Sequence, residues 1–494
     1  MKILTTTLCY PTPQAPEQGI FILRRAAAVD KCPQTEVQVV APQPWCPLLR
    51  TAPSGTRPNQ SCDRKKASEK RAAHQSRDRK EAVLLATERT SPSFNRSEEA
   101  VIPSPLPVCY PRMLSAPVLG WATDGLAFAH ALTRFVHHAQ AHGQGDFNLI
   151  DAHFVYPDGV GAWLAGRKLG IPVAVTVRGK IVSLSRRTLR RWQIHLMLRG
   201  VAARIAVSES LARWVHKVGG SDLHVDVIPN GVDAAVFHPA DRQQTRAALG
   251  WEPAARYILS VGHLQRLKGF DRIVAAMPAV RAALGDVRLV LVGSRRGEPT
   301  FQKELMSCIA EVNLDAGRDA DNPCVRFLGP VPAETLNNLY NAADLTVSPS
   351  RSEGWCNTIS ESLAAGTPVV ATDVGGNREQ IVSPALGTIV PDGDAKALSE
   401  AVTTALRKTW DRSAIAQHGA ARDWRHTARQ VHEVFTRVLD TNPLREPRTR
   451  TATAIIESQP HPAAATDASP FTRTARYRLA ASRPANDLCA GDTP

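Results

Sequence analysis

SPSRSEGWCNTISESLAAGTPVVAT, residues 348–372, packs a strand end, a polar loop, a helix and a second strand into one short stretch. Pro349 closes the first strand, and the helix is expected to begin at Asn357 or Thr358. A second strand, 367–372, follows it. Strand, helix and buried strand in that order make a parallel unit. A helix start directly after a parallel strand presents free N–H groups and the positive end of a dipole, which suits a phosphate. Glu353 and Glu361 lie eight residues apart, about 12 Å along a helix at 1.5 Å per residue. That is too far for a close carboxylate pair and about right for the two ends of one nucleotide-linked ligand. Two solvated glutamates on an amphipathic helix would show the same spacing.

Moving outward, apolar runs of strand length recur at 2–8, 37–41, 148–153, 172–178, 204–207 and 225–228. A second series occupies 256–261, 288–292, 325–328, 345–349, 367–372 and 388–390, with helical patterns such as 271–284 and 395–407 between. This alternation predicts two doubly wound α/β domains, parted by IPNGVDAAVFHPA (228–240), with a cleft between them. We place the first domain at 1–236, the second at 237–422, and a helix returning to the first at 423–440. Residues 57–80 hold no Val, Ile, Leu, Met or aromatic side chain, and eleven prolines fall between Pro42 and Pro117. Residues 51–105 therefore read as an irregular or disordered insertion, and 441–494 as a disordered tail.

The chain has 494 residues, of which 43% are hydrophobic and 21% charged, so neither a fibrous nor a wholly disordered chain fits. No apolar run is long enough to cross a bilayer. MKILTTTLCYP reads as a first strand and not as a signal peptide. Nine scattered cysteines without a C-x-x-C fit reduced thiols in the cytoplasm. A net charge of +14 favours anionic partners. Nucleic acid is excluded for want of a recognised module or of aromatics along a basic stripe. RRTLRRWQIHLMLRG (186–200) fits either a helix on an anionic membrane surface or a core-packing helix with solvated arginines.

The string SEGWCNTISESLAAGTPVVATDVGG resembles the E-x7-E signature of family 4 glycosyltransferases, including Gly354, Asn357 and 364–366. IPNGVD (228–233) and SVGHLQRLKGFD (260–271) agree with it. The resemblance implies a GT-B fold, two Rossmann-like domains facing a cleft, and a retaining hexosyl transfer from a nucleoside diphosphate sugar, UDP by family weight. It implies no metal and no cofactor. Both D-x-D strings, Asp319–Asp321 and Asp392–Asp394, are expected to be structural. The acceptor would be a glycan or a lipid-linked molecule. APQPWCP, YPRMLSAP and DAHFVYPDG are similar to the branch making teichuronic-acid-type surface polysaccharides. Residues 51–105 depart from that branch, and either an extended insertion or a disturbed reading frame would account for it.

Carried over residue by residue, Glu353 would orient the sugar hydroxyls and Glu361 the ribose. Lys268, with Gly262, Gly354, Asn357 and Thr358 around the diphosphate, would stabilise the leaving charge. The family usually has Arg five residues before Lys268; this chain has His263, and Arg266 is the nearest replacement. In the first domain His153 ends a strand and is similar to the family's active-site histidine. Arg178 in TVRGK and Gly19 in PEQGIFILRR would lie on the acceptor side. The altered His263 also leaves room for an inactive GT-B scaffold, and the fold for a nucleotide-sugar epimerase. Localisation is expected to be cytoplasmic, with peripheral contact at the inner face of the plasma membrane.

Overall fold

The computed structural model describes residues 1–12, 15–45, 105–115, 120–179, 184, 187–294, 298–315 and 323–441, all within one unit running from Met1 to Asn442. The expected insertion therefore falls almost wholly outside the described residues, as do the tail beyond Thr441, the Asp319–Asp321 string and Lys180 of TVRGK.

Two parallel sheets organise the chain. The first contains β1 (Lys2–Thr6), β2 (Glu36–Val40), β4 (Val108–Cys109), β6 (Leu149–His153), β7 (Val173–Val177), β8 (Ala203–Ala206) and β9 (Asp226–Val227), in the order β4-β2-β1-β6-β7-β8-β9. Between β2 and β4 in sequence runs β3 (Gln43–Trp45), which pairs with β5 (Arg112–Leu114) as a separate ribbon. The second sheet is built from β10 (Arg256–Val261), β11 (Val287–Val292), β12 (Val325–Phe327), β13 (Leu345–Ser348), β14 (Val369–Thr372) and β15 (Gly387–Val390). Its order is β12-β11-β10-β13-β14-β15. Strand order reverses between β1 and β6 in the first sheet and between β10 and β13 in the second. In open α/β sheets, ligands bind at the carboxyl ends of strands at such reversals. Both sheets have helices on both faces, which is why their strands are continuous apolar runs and not alternating ones. This is the GT-B arrangement of two Rossmann-like domains.

The helix Trp424–Asp440 returns to the first sheet. Asp423 caps it, accepting from the His426 N–H at 2.8 Å. Its period places Ala428, Val431, Val434, Phe435, Val438 and Leu439 in one apolar cluster with Ile3, Ile22 and Val39 of the first domain. Each large side chain so buried contributes about 1.5–3 kcal/mol, so the closing helix is held firmly. The outgoing linker and the returning chain run side by side: the Val232 N–H donates to the Arg422 carbonyl at 3.0 Å.

Candidate active site

On the second domain, two loops meet at the β10/β13 reversal. Beyond β10 the chain passes Gly262 and a short 3-10 turn, Arg266–Lys268. After β13 it passes residues 349–356 and enters the helix Asn357–Ala364. Lys268 Nζ reaches Glu353 Oε1 at 2.7 Å, and Ser350 Oγ donates to the same oxygen at 2.8 Å. The Glu353 side chain is 9% exposed. Burial alone would lower the Lys268 ammonium, but Glu353 and the nearby Cys356 thiol outweigh it and hold its pKa above the usual value. The Glu353 loop rests on Gly375, whose φ of +56° only glycine adopts easily; a Cβ there would lie 2.0 Å from the Glu353 carbonyl oxygen.

The helix Asn357–Ala364 has Cys356 at its N-cap, with no side-chain bond to the terminus. Its start follows the Glu353 loop directly, and the Ile359 N–H closes the first turn on the Cys356 carbonyl at 3.1 Å. One turn on, Glu361 Oε2 accepts from Tyr340 Oη at 3.2 Å. Burial pushes the Glu361 carboxyl up to about 7, against the pull of Arg24 and the Tyr340 hydroxyl.

On the first domain, Asp151 and His153 sit two residues apart on β6 and so share a face. His153 is fully enclosed. Its Nε2 is 3.1 Å from Asp151 Oδ2, and its Nδ1 accepts from Arg178 Nε at 3.2 Å. Because a guanidinium can only donate, Nδ1 is bare and the ring proton is on Nε2. Burial lowers the His153 pKa to about 4, more than Asp151 raises it, so the ring is neutral. Burial works the other way on Asp151, yet Arg25 at 3.1 Å, with His153 and Arg178, brings its carboxyl down to about 2. The Arg178 guanidinium stacks 4.9 Å from the Phe21 ring, and its Nη2 is buried without a hydrogen-bond partner. Phe21, Arg24 and Arg25 all come from the helix Ile20–Asp30, which starts at Gly19 (φ +70°); a Cβ at Gly19 would lie 2.0 Å from the Cys9 carbonyl oxygen.

The two domains touch at this place. A Cβ on Gly354 would lie 2.6 Å from the Gly179 nitrogen. Asn230 of the linker donates through Nδ2 to Asn357 Oδ1 at 2.9 Å while accepting from Arg178 Nη1 at 2.7 Å. The Glu379 carboxylate accepts from the N–H groups of Glu209 and Ser210 at 2.9 and 3.2 Å. It thus sits at the start of the helix Glu209–Gly219, where its charge is favoured.

Sequence comparison covers both halves. The pattern described as Glycosyltransferase Family 4 matches residues 72–236, and Glycosyl transferases group 1 matches 241–422. A D-inositol 3-phosphate glycosyltransferase of Mycobacteroides abscessus is 30% identical over 63% of this chain and 70% of its own. The protein of that name from Mycolicibacterium gilvum is 32% identical over 60% and 68%. The chain belongs to glycosyltransferase family 4. Another relative of the same name, from Segniliparus rotundus, is 31% identical, and the match spans 55% of its length. Among solved structures, the sucrose-phosphate synthase of Thermosynechococcus elongatus has the same fold, with a TM-score of 0.63 at 19% identity over 89% of this chain and 100% of that one. Anabaena HepE in complex with UDP scores 0.60 at 20% identity, over 88% and 100%.

As a family 4 glycosyltransferase, the chain gathers Glu353, Lys268, Gly354, Asn357 and Thr358 around one helix start, with Glu361 on the same helix. His153 and Arg178 approach through Asn230. Other expected residues have partners of their own. Arg266 is paired with Glu304 and stacks 5.0 Å from the Phe301 ring, turned toward the helix Pro299–Asp315. His263 Nδ1 is 2.7 Å from Ser294 Oγ. His153 has both nitrogens engaged, so a ligand reaches it only by displacing Arg178 or Asp151. Asp394 caps the helix Ala395–Arg407, and Asp392 accepts from Arg272 at 2.6 Å. Among the described residues, no group of three or more His, Cys, Asp or Glu side chains could hold a metal. Arg24, Arg25, Asp151, Asn230, Tyr340 and Ser350 were not singled out by sequence; the signal available for Asp151 was an acid two places from a histidine on a buried strand.

Proposed function

We propose that this glycosyltransferase moves a hexose from a UDP-linked sugar to a glycan or lipid-linked acceptor, retaining the anomeric configuration, in the synthesis of a cell-surface polysaccharide. The observation that carries the donor half is the uncapped start of the helix Asn357–Ala364, set between the Lys268–Glu353 pair and Glu361. A diphosphate there meets helix N–H groups and an ammonium, the charges that a departing diphosphate needs. Glu353 orients the sugar hydroxyls, and Glu361 holds the ribose. The bond between the anomeric carbon and the phosphate oxygen breaks as the acceptor oxygen bonds on the same face. The acceptor proton passes to the departing phosphate. His153 bounds the site from the first domain, and domain closure excludes water. The Anabaena HepE structures, in complex with UDP and with UDP-glucose, support the choice of UDP.

For the acceptor half, Trp45, Tyr110, Leu114, Leu126, Leu189 and Trp192 are exposed large apolar side chains of the first domain. Trp192 adjoins the exposed Arg191 on the helix Thr188–Gly200. These features support peripheral contact with an anionic membrane carrying the acceptor. Among the described residues no helix is long and apolar enough to cross a membrane. The test is a screen of purified protein against nucleotide sugars, with glycan, lipid-linked and inositol phosphate acceptors, the last prompted by the relatives' name. We expect UDP-sugar turnover with a polysaccharide precursor and a product of unchanged anomeric configuration by NMR. Binding of no nucleotide would favour a scaffold, and sugar isomerisation without acceptor an epimerase.

A further inference from the structure

A run of directed hydrogen bonds crosses from one domain to the other. It begins at Arg25, which holds Asp151, and continues through His153 and Arg178 to Asn230 and Asn357. Asp151, His153, Arg178 and Asn230 are each at most 5% exposed. Arg178 fixes the polarity of everything beyond it. Its nitrogens only donate, so the Asn230 atom facing it at 2.7 Å is the carbonyl oxygen. The Asn230 NH2 is then turned to the second domain, and the Asn357 atom that meets it is again an oxygen. The Asn357 NH2 is left to point elsewhere. Asn357 is also the first residue of the helix whose start receives the diphosphate, so its backbone N–H and its amide NH2 are two donors from one residue at the same terminus.

We propose that Asn230 is a positioning residue which, through Arg178, sets the orientation of the Asn357 amide so that its NH2 faces the donor diphosphate. This rests on the donor site described under the proposed function. The linker between the domains thereby takes part in donor recognition without touching the donor, and the His153 side of the cleft is tied to the same arrangement.

Asn230→Asp is the informative change because it keeps shape and reverses one pole. A carboxylate still accepts from Arg178, but Asn357 must then turn its NH2 back to Asp and present its oxygen to the diphosphate. UDP binding is measured by titration calorimetry for the wild type, Asn230→Asp, Asn357→Ala and the double variant. Donor KM, kcat and melting temperature are recorded alongside. The expected result is UDP binding weakened about tenfold or more by Asn230→Asp, a donor KM raised more than kcat is lowered, and an effect shrinking to about twofold in the Asn357→Ala background. An equal loss in both backgrounds would mean direct repulsion or general damage and would overturn the proposal, as would unchanged binding in Asn230→Asp. Wild-type protein that bound neither UDP nor any other nucleoside diphosphate would remove the donor site itself and the proposal with it. Wild-type binding with an additive cycle would remove only the role of Asn230.

Discussion

Lys268 and Glu353 form a 2.7 Å ion pair at the strand reversal of the second sheet, and Ser350 donates to the shared carboxylate oxygen. The pair fixes a cation beside a helix start, and under the proposed function the acid orients the sugar hydroxyls. Glu353→Gln keeps the shape and removes the charge. Transfer is expected to fall about 10²-fold or more, with the melting temperature little changed; Lys268→Ala is expected to fall by about 10²–10³-fold. Steady-state kinetics decide it, and an undiminished rate in Glu353→Gln would take that residue out of the chemistry.

Gly375 underlies the same loop. An alanine there meets two obstacles: its φ of +56° and a Cβ position 2.0 Å from the Glu353 carbonyl oxygen. The left-handed conformation alone costs about 1–2 kcal/mol, and relieving the clash moves Glu353. Gly375→Ala should lose about 2 kcal/mol or more in urea unfolding and raise the donor KM. A fully stable, fully active variant would contradict the packing described.

Glu361 carries a pH dependence of definite sign. Its folded pKa is about 7, against about 4.3 in an unfolded chain. Between those values the folded state binds more protons, so stability from this group is present below about 4.3 and is lost as pH rises through 7. The loss is on the order of 3 kcal/mol. Glu361→Gln should therefore gain stability over the wild type at pH 8 and little at pH 4. Nucleotide affinity should rise from pH 6 to 8 only in the wild type, because a ribose hydroxyl donates best to an ionised acid. Parallel calorimetric curves for the two proteins would argue against it.

His153 makes the opposite prediction. Its folded pKa of about 4 lies below the unfolded value of about 6.5, so the folded state binds fewer protons between them. Stability from this group is present above 6.5 and declines as pH falls through 4, by about 3 kcal/mol. The ring should stay neutral at pH 6, with its proton on Nε2. Nitrogen-15 NMR of labelled histidines reads this directly; a His153 signal titrating near 6.5 would show that the ring is not enclosed as described.

The fold was legible because each buried parallel strand announces itself as a local apolar run, from Lys2–Thr6 through Gly387–Val390. The strands Gln43–Trp45, Val108–Cys109 and Arg112–Leu114 are too short, and too close to prolines, to stand out. The proposed donor residues were easy to group for a similar reason: Glu353, Gly354, Asn357, Thr358 and Glu361 share one loop and one helix. In the first domain His153 and Arg178 stand out singly, but the contacts that join them do not: the Asp151–His153 strand, Arg178, Asn230 and Asn357 are separate segments brought together only by tertiary packing, and no spacing encodes that. Arg266 shows the converse limit. Its position near Lys268 suggests a diphosphate ligand, and its contacts with Glu304 and the Phe301 ring come from a helix that no spacing ties to it.

Two lengths of chain join the lobes, and they are laced together where Val232 meets Arg422 and Asp423. A single tether would behave like a ball joint, free to swivel. A doubled one works like a door on its pin: swinging open and shut is easy, while twisting and sideways sliding are resisted. Each time the door shuts, the Gly179 and Gly354 backbones should return to the same bare contact.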